Sequence, residues 1–226
     1  MGTSYALPAQ VVRSGADRAT LVRRTYALVF TGILFTIAGA AFSWSQPAIL
    51  QAVVQHPLIA GLVMFAPLLA AQRAARSFPA NIGFVYLFTF MMGIFLAPML
   101  LYYARVQPGV LQEAGLLTGT AFGALTMYAF VSRRDFSAWG SFFFTGLIVL
   151  IVASLLNFFL HSTGVQLWIA GATVLVFSGL LVFDTWRIRN YFGPDDYVLA
   201  AVRIYLDLLN LFTAILTLLG GSRRRG

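Results

Sequence analysis

The chain has 226 residues, of which 60% are apolar and only 10% are charged. This composition excludes an ordinary soluble domain, in which about a quarter of the residues are charged. All 15 basic residues are arginine and cysteine is absent, which excludes a lysine Schiff base, disulfides, thiolate metal sites and a cysteine nucleophile. Although the formal net charge is +8, the arginines lie mainly between apolar stretches, as topology signals do, so we expect a membrane protein without a nucleic-acid partner.

Seven apolar stretches are long enough to cross a lipid bilayer as helices. About 20 helical residues span roughly 30 Å of hydrocarbon, and the stretches lie at residues 25–44, 57–75, 82–103, 110–132, 138–160, 166–186 and 197–219. The segments between them are short. The sequence therefore predicts an all-α integral membrane protein with one domain of seven transmembrane helices (25–220), an N-terminal tail (1–24) and a basic C-terminal tail (221–226).

Enzymatic chemistry is not expected from this chain. The bundle uses most of the residues, no histidine lies deep in a stretch where it could activate a serine, and no nucleotide-binding loop is present. We also expect no cofactor, and consider calcium only as a permeant or bound ion.

The arginines predict the orientation of the chain in the membrane. Ten of them lie before the first stretch or in the loops that follow the second, fourth and sixth stretches, whereas Arg105 is alone in the loops of the other side. Because arginine is enriched in cytoplasmic loops, we expect a cytoplasmic N-terminus. Three arginines after the seventh stretch oppose this rule if that stretch crosses. Two interpretations stay open: the stretch crosses, which its length favours, or it is re-entrant and returns the tail to the cytoplasm.

Two aspartates lie in the apolar stretches. Asp184 is near the end of the sixth stretch, and Asp207 is in the middle of the seventh. A charged side chain in the bilayer centre costs about 2.5 to 3.5 kcal/mol on insertion scales, so such residues usually face a cavity, a partner or an ion path. Asn210 and Thr217 extend a polar stripe at roughly helical spacing from Asp207. Calcium and other hard cations bind oxygen ligands, so the two carboxylates are the predicted metal and gating residues. The alternative is a structural network of Arg203, Asp207 and Asn210 that holds the helix in place.

Several segments together resemble one protein family. The C-terminal segment DTWRIRNYFGPDDYVLAAVRIYLDLLNLFTAILTLLGGSRRR is similar to the signature of the Bax inhibitor-1 family, whose bacterial members carry an aspartate, a short basic loop and a Tyr-Leu-Asp-x-x-Asn-Leu-Phe helix. RRTYALVFTGILFTIAGA resembles the first helix of the family, FVYLFTFMMGIFLAPML the third, and MYAFVSRRDFSAWGSFFFTGLIV the junction of the fourth and fifth. The segments follow the order of the family.

The resemblance implies a fold and two classes of function. It implies a central seventh helix wrapped by two groups of three, and an aspartate pair, here Asp184 and Asp207, that shares a proton and acts as a pH-sensitive latch for calcium leak. An arginine at the cytoplasmic end of the second helix pairs with the aspartates, and Arg73 matches it, or Arg76 with a different gap. The alternative function is regulation through a partner, such as a membrane AAA protease. The implied location is a bacterial inner membrane.

One position departs from the family pattern, and one glycine pattern suggests close packing. Arg203 stands where the family usually has a small polar residue, four residues before Asp207, and this spacing predicts that the two side chains share a helical face and pair. The glycines of the fourth stretch recur every four residues, which predicts a ridge that packs against a neighbouring helix of the monomer: Gly115, Gly119 and Gly123.

Overall fold

The structure is a computed structural model that describes residues 15–73 and 78–222. Within these ranges the regular elements are all helices, which confirms the predicted all-α class. They are α1 (Gly15–Trp44), α2 (Pro47–Gln55), α3 (Pro57–Arg73), α4 (Ala80–Val106), α5 (Val110–Val131), α6 (Ser137–Leu160), α7 (Thr163–Asn190) and α8 (Tyr197–Ser222), with a short 3-10 helix (Pro194–Asp196) before α8.

Local sequence explains where several helices begin and end. Proline at the first position starts both α2 and α3, where its missing N–H is not needed. Gly109, with φ of 90°, turns the chain between α4 and α5 in a conformation that favours glycine. The hydroxyl of Ser162 accepts a hydrogen bond from the backbone N–H of Val165 at 3.4 Å and so caps α7.

The helices reproduce the predicted spans with one difference. Six of them, α1 and α4 to α8, are long and apolar enough to cross a membrane, and the number reaches seven if α2 and α3, bent by 108° at their junction, count as one broken span. The second predicted stretch corresponds to α3, whereas α2 is an additional helix that lies at a steep angle to it. Helix α1 begins at Gly15, so part of the predicted N-terminal tail is helical; residues 1–14 lie outside the described ranges.

Helix α8 forms the centre of the bundle. Half of its apolar stretch is buried, the largest share of any span, and it packs against α1, α4, α5 and α7. Helices α1, α3 and α4 pack together on one side, and α5, α6 and α7 pack together on the other. This arrangement confirms the predicted architecture of two three-helix groups around a central C-terminal helix.

Contacts along α7 and α8 show that the two helices run antiparallel over their whole length. Asp184 of α7 meets Arg203 of α8 at one end, and Leu167 of α7 lies against Gly221 of α8 at the other. We call these the Asp184 end and the Gly220 end of the bundle. Because α8 is a continuous helix that reaches from one end to the other, it is not re-entrant within the bundle.

The closest helix approach joins α1 and α4, not α5 and its neighbours. A Cβ atom at Gly39 would overlap the carbonyl oxygen of Phe90, and one at Gly93 would overlap that of Thr36. By contrast, a Cβ atom at Gly115, Gly119 or Gly123 would meet no atom within 4 Å. The prediction that this ridge packs within the monomer is therefore wrong. Helix α5 buries the adjacent face instead, through Val110, Ala114, Thr118, Phe122 and Ala129.

The orientation in the membrane stays a prediction that single cysteines can test, because the chain has none of its own. Ser162 precedes α7 at the Gly220 end, and Ser132 follows α5 at the Asp184 end, where its carbonyl accepts a hydrogen bond from Arg189 at 2.7 Å. With a cytoplasmic N-terminus, Ser162→Cys should react with an impermeant thiol reagent in intact cells, and Ser132→Cys should react only after lysis. The reverse labelling pattern contradicts the predicted orientation.

Candidate functional site

Asp184 lies in an ion network near the end of α7. Its side chain is buried, and Oδ1 lies 3.6 Å from Nη1 of Arg187 on the same helix and 3.5 Å from Nη1 of Arg203 on α8. The Arg187 guanidinium is further held over the rings of Phe183 and Phe192, at 5.6 and 4.9 Å from their centroids. The Asp184–Arg203 contact thus fastens α7 to α8 at this end of the bundle.

Asp207 lies one helical turn beyond Arg203 along α8 and is the less satisfied of the two aspartates. Only 4% of its surface is exposed, its Oδ2 atom has no hydrogen-bond partner, and it is close enough to Asp184 for the two charges to interact. Within the described ranges no ion pair forms to Asp207. A buried carboxylate without a direct partner is costly, so it needs a proton, a water molecule or a cation.

Arg203 contacts the aspartates differently from the sequence prediction. Its guanidinium bonds to Asp184 across the helix interface rather than to Asp207 on its own helix. Long basic side chains in membrane helices extend toward the nearest polar boundary, and the Arg203 side chain is 39% exposed. The Arg203 guanidinium therefore bonds across the interface while part of its side chain stays exposed.

The structure adds one arginine to the site and does not bring Arg73 to it. Arg187 is the additional member, and its signal in the sequence is the three-residue spacing from Asp184, which puts both on one helical face. Arg73 is exposed at the last residue of α3 and makes no ion pair with Asp184 or Asp207 in the described part of the chain. Its pairing stays a prediction. Arg76 lies outside the described residues.

The polar stripe on α8 faces α7. Residues 203, 207, 210, 217 and 221 share one helical face, and the contacts at Arg203 and Gly221 place this face against α7. The Asn210 amide donates to the Leu206 carbonyl at 2.7 Å, and the Thr217 hydroxyl donates to the Thr213 carbonyl at 2.8 Å. Each polar group is thus partly satisfied by its own helix. We call this interface the α7–α8 seam.

Three hydroxyl groups adjoin the ion network and were missed in the sequence. The hydroxyl of Tyr26 on α1 lies close to those of Thr126 on α5 and Thr185 on α7. All three oxygen atoms are buried without a well-formed hydrogen bond. Thr185 follows Asp184 in the chain, so unsatisfied oxygens surround α7 at the level of the aspartates. Groups of this kind are usually satisfied by buried water.

A metal site at the aspartates would hold few protein ligands. No group of three or more histidine, cysteine, aspartate or glutamate side chains that could hold a metal occurs among residues 15–73 and 78–222. Calcium takes six to eight oxygen ligands, so Asp184 and Asp207 would supply only part of its shell. In addition, two guanidinium groups lie against Asp184 Oδ1. The geometry suits transient binding of a cation better than a permanent calcium site.

Comparison with known proteins assigns the family. A family model described as inhibitor of apoptosis-promoting Bax1 matches residues 18–224, which is most of the chain. The chain belongs to the Bax inhibitor family. The family predicted from the sequence is thereby confirmed, and the aspartates, the two arginines and the seam are features of a Bax inhibitor family fold.

Individual relatives span bacteria, yeast and a virus. The chain is 31% identical over 207 residues to the Bax inhibitor 1 of Schizosaccharomyces pombe, covering 90% of this chain and 77% of that protein. It is 30% identical over 211 residues to the Golgi anti-apoptotic protein of vaccinia virus, covering 92% and 88%. It is 42% identical over 144 residues to an uncharacterized membrane protein of Vibrio cholerae, covering 62% of this chain and 64% of that protein, which is less than two thirds of its length.

Proposed function

We propose that this membrane protein is a cation leak pathway, with calcium as the first candidate ion, and that Asp184 and Asp207 make its opening depend on pH. The observation that carries the proposal is the buried Oδ2 atom of Asp207, which has no hydrogen-bond partner in a helix bundle where a second buried carboxylate, Asp184, is within range of its charge. An ionisable residue kept inside a membrane bundle at such a cost usually marks an ion or proton pathway. The proposed location is a bacterial inner membrane, with the N-terminus in the cytoplasm.

The ion network suggests how protons would control the seam. Two interacting carboxylates release their protons in steps that belong to the pair. In the state with one negative charge, Asp184 binds Arg203 and fastens α8 to α7. A second proton removes the charge that Arg203 binds, whereas loss of both protons leaves two repelling carboxylates. Either change weakens the fastening, and we propose acid as the opening direction because the arginines offset repulsion between the carboxylates. Arg73 is proposed to join this pair when the end of α3 approaches it.

Calcium flux into proteoliposomes tests the proposal. The parent, Asp184→Asn, Asp207→Asn and the double variant are compared from mildly acidic to mildly alkaline pH. Because the carboxylates act as one unit, each single change should remove most of the pH dependence and the double variant should add little.

Asp195→Asn is the matched control, since Asp195 is exposed before α8 and outside the network. This variant should leave the pH profile of calcium uptake unchanged. Additive effects of the two single variants, or an unaltered profile for Asp207→Asn, contradict the proposal.

A second candidate is a regulatory role through a membrane partner, such as a membrane AAA protease. It is supported by the names of two relatives, Bax inhibitor 1 and the Golgi anti-apoptotic protein. Helix α6 also offers a surface, because among the described helices it packs mainly on α7, and only 6% of its apolar stretch is buried. A parent protein without cation flux in proteoliposomes, but with a partner captured by crosslinking from α6, favours this alternative.

A further inference from the structure

A cavity opens at the end of the bundle opposite to the aspartates. Its volume is about 330 Å³, and α4, α7 and α8 form its walls through Met99, Tyr102, Tyr103, Thr163, Gln166, Leu167, Thr217, Gly220 and Gly221. Two glycines of α8 let side chains of α4 and α7 approach the helix closely here. A Cβ atom at Gly220 would overlap the Tyr103 ring, and one at Gly221 would overlap the end of the Leu167 side chain. Any larger residue at either glycine would therefore push one of these side chains away from α8.

The cavity wall presents neutral oxygen atoms. Thr217, Thr163 and Tyr103 supply hydroxyls, and Gln166 supplies an amide. The nearby Gln107 side chain donates to the Gly220 carbonyl at 2.9 Å, yet its own Oε1 atom is buried without a partner. Such an atom is normally satisfied by water. Among residues 15–73 and 78–222, no charged side chain lines the cavity.

The cavity and the aspartates lie at the two ends of the same seam. Thr217 is ten residues beyond Asp207 on the polar face of α8, a distance of about 15 Å along the helix. On α7, residues 163, 166, 177 and 184 share one helical face. Phe177, which is buried, and Ala170 lie between the polar groups of the cavity and Asp184. The α7 side of the seam is thus polar at both ends and apolar in its middle, as in pores that close by excluding water.

We propose that this cavity is the water-filled mouth through which hydrated cations reach the α7–α8 seam. The inference rests on the proposed cation leak and extends it, because it assigns Thr217, Gln166 and Tyr103 as the oxygen ligands that a cation meets first. Neutral oxygen atoms suit the first binding of a cation at the mouth. They replace part of the water shell of a cation while binding it weakly enough for release toward Asp207.

Cysteine modification tests the mouth separately from conduction. The chain has no cysteine, so Thr217→Cys introduces a single thiol of similar size in the cavity wall. Leu216→Cys is the matched control: it lies one residue away on α8, but it is fully buried with Val110 and Ala114 of α5. A positively charged, membrane-impermeant methanethiosulfonate reagent is applied to both faces of proteoliposomes. We expect Thr217→Cys to be labelled at least tenfold faster than Leu216→Cys, and labelled Thr217→Cys to lose most of its calcium uptake.

The possible results distinguish two outcomes: that the cavity is not the entrance for cations, and that the protein does not conduct cations. If Thr217→Cys is not labelled faster than the control while the parent takes up calcium, the cavity is not water-filled and the inference is overturned. Rapid labelling with undiminished uptake also overturns it, because the cavity is then a closed pocket beside the route. If neither the parent nor the variant takes up calcium, the leak itself is refuted, whatever the labelling shows.

Discussion

Replacing Gly93 by leucine is expected to prevent recovery of folded protein. At this position α4 lies so close to α1 that even a Cβ atom would overlap the Thr36 carbonyl oxygen and lie 2.9 Å from the Ala40 backbone nitrogen. Overpacking of a core usually costs about 1 to 3 kcal/mol when side chains can move aside. Here the obstacle is backbone, so the two helices must separate, and the cost should exceed that range. The measurement is the amount of monodisperse protein recovered after detergent extraction.

Gly119→Leu is the matched control for Gly93→Leu. Gly119 is also a helical glycine in a membrane span, but a side chain there would meet no atom within 4 Å. Leucine is favoured over glycine in helix interiors by about 1 kcal/mol or somewhat less, so this variant should fold as well as the parent. If Gly119→Leu lowers the yield as strongly as Gly93→Leu, then the α5 ridge does pack against another helix.

The two glycine patterns show which part of the fold could be predicted from sequence. The apolar stretches predicted the long helices because length and hydrophobicity are properties of each segment alone. The four-residue spacing on α5 correctly describes a ridge, but spacing carries no information on which face meets a neighbour. Gly39 and Gly93 have no glycine three or four residues away, so no ridge marks them in the sequence, and only the crossing of α1 and α4 makes them close-packed. Helix α2 was missed because Pro47 and Pro57 bracket a segment too short for a span.

The same limit applies to the candidate site. Asp184 and Asp207 stand out in the sequence because a carboxylate in an apolar stretch is rare. Their partners are harder to predict, because an arginine side chain reaches several ångströms in directions that depend on the boundary of the membrane. The spacing of Arg203 and Asp207 favoured a bond within α8, whereas the observed bond crosses to Asp184. Cavities between helix ends, such as the one at Gly220, have no local sequence signal.

Neutralising the two aspartates is expected to change stability in opposite directions. Asp184→Asn removes the carboxylate that two guanidinium groups share and leaves Arg187, whose side chain is 19% exposed, without its ion pair. Breaking a buried ion pair costs about 3 to 5 kcal/mol. Because the Arg203 side chain is 39% exposed, we expect a smaller loss of about 1 to 3 kcal/mol. A change of 1 kcal/mol shifts the unfolding midpoint of a protein of this size by about 2 to 4 °C.

Asp207→Asn should instead raise the unfolding midpoint in detergent. The Asp207 carboxyl has a buried oxygen without a partner, and Asp184 is within range of its charge. At a pH where both carboxylates are ionised, an amide of the same size removes the repulsion between them. At mildly alkaline pH we therefore expect a gain of about 1 kcal/mol, since one unit of pKa corresponds to about 1.4 kcal/mol, while the exposed control Asp195→Asn should leave the midpoint unchanged. If a residue destabilises the fold, its presence is explained by function rather than by packing. If Asp207→Asn lowers the midpoint as much as Asp184→Asn does, Asp207 is a structural member of the network, and the role of holding α8 in place explains it better than gating.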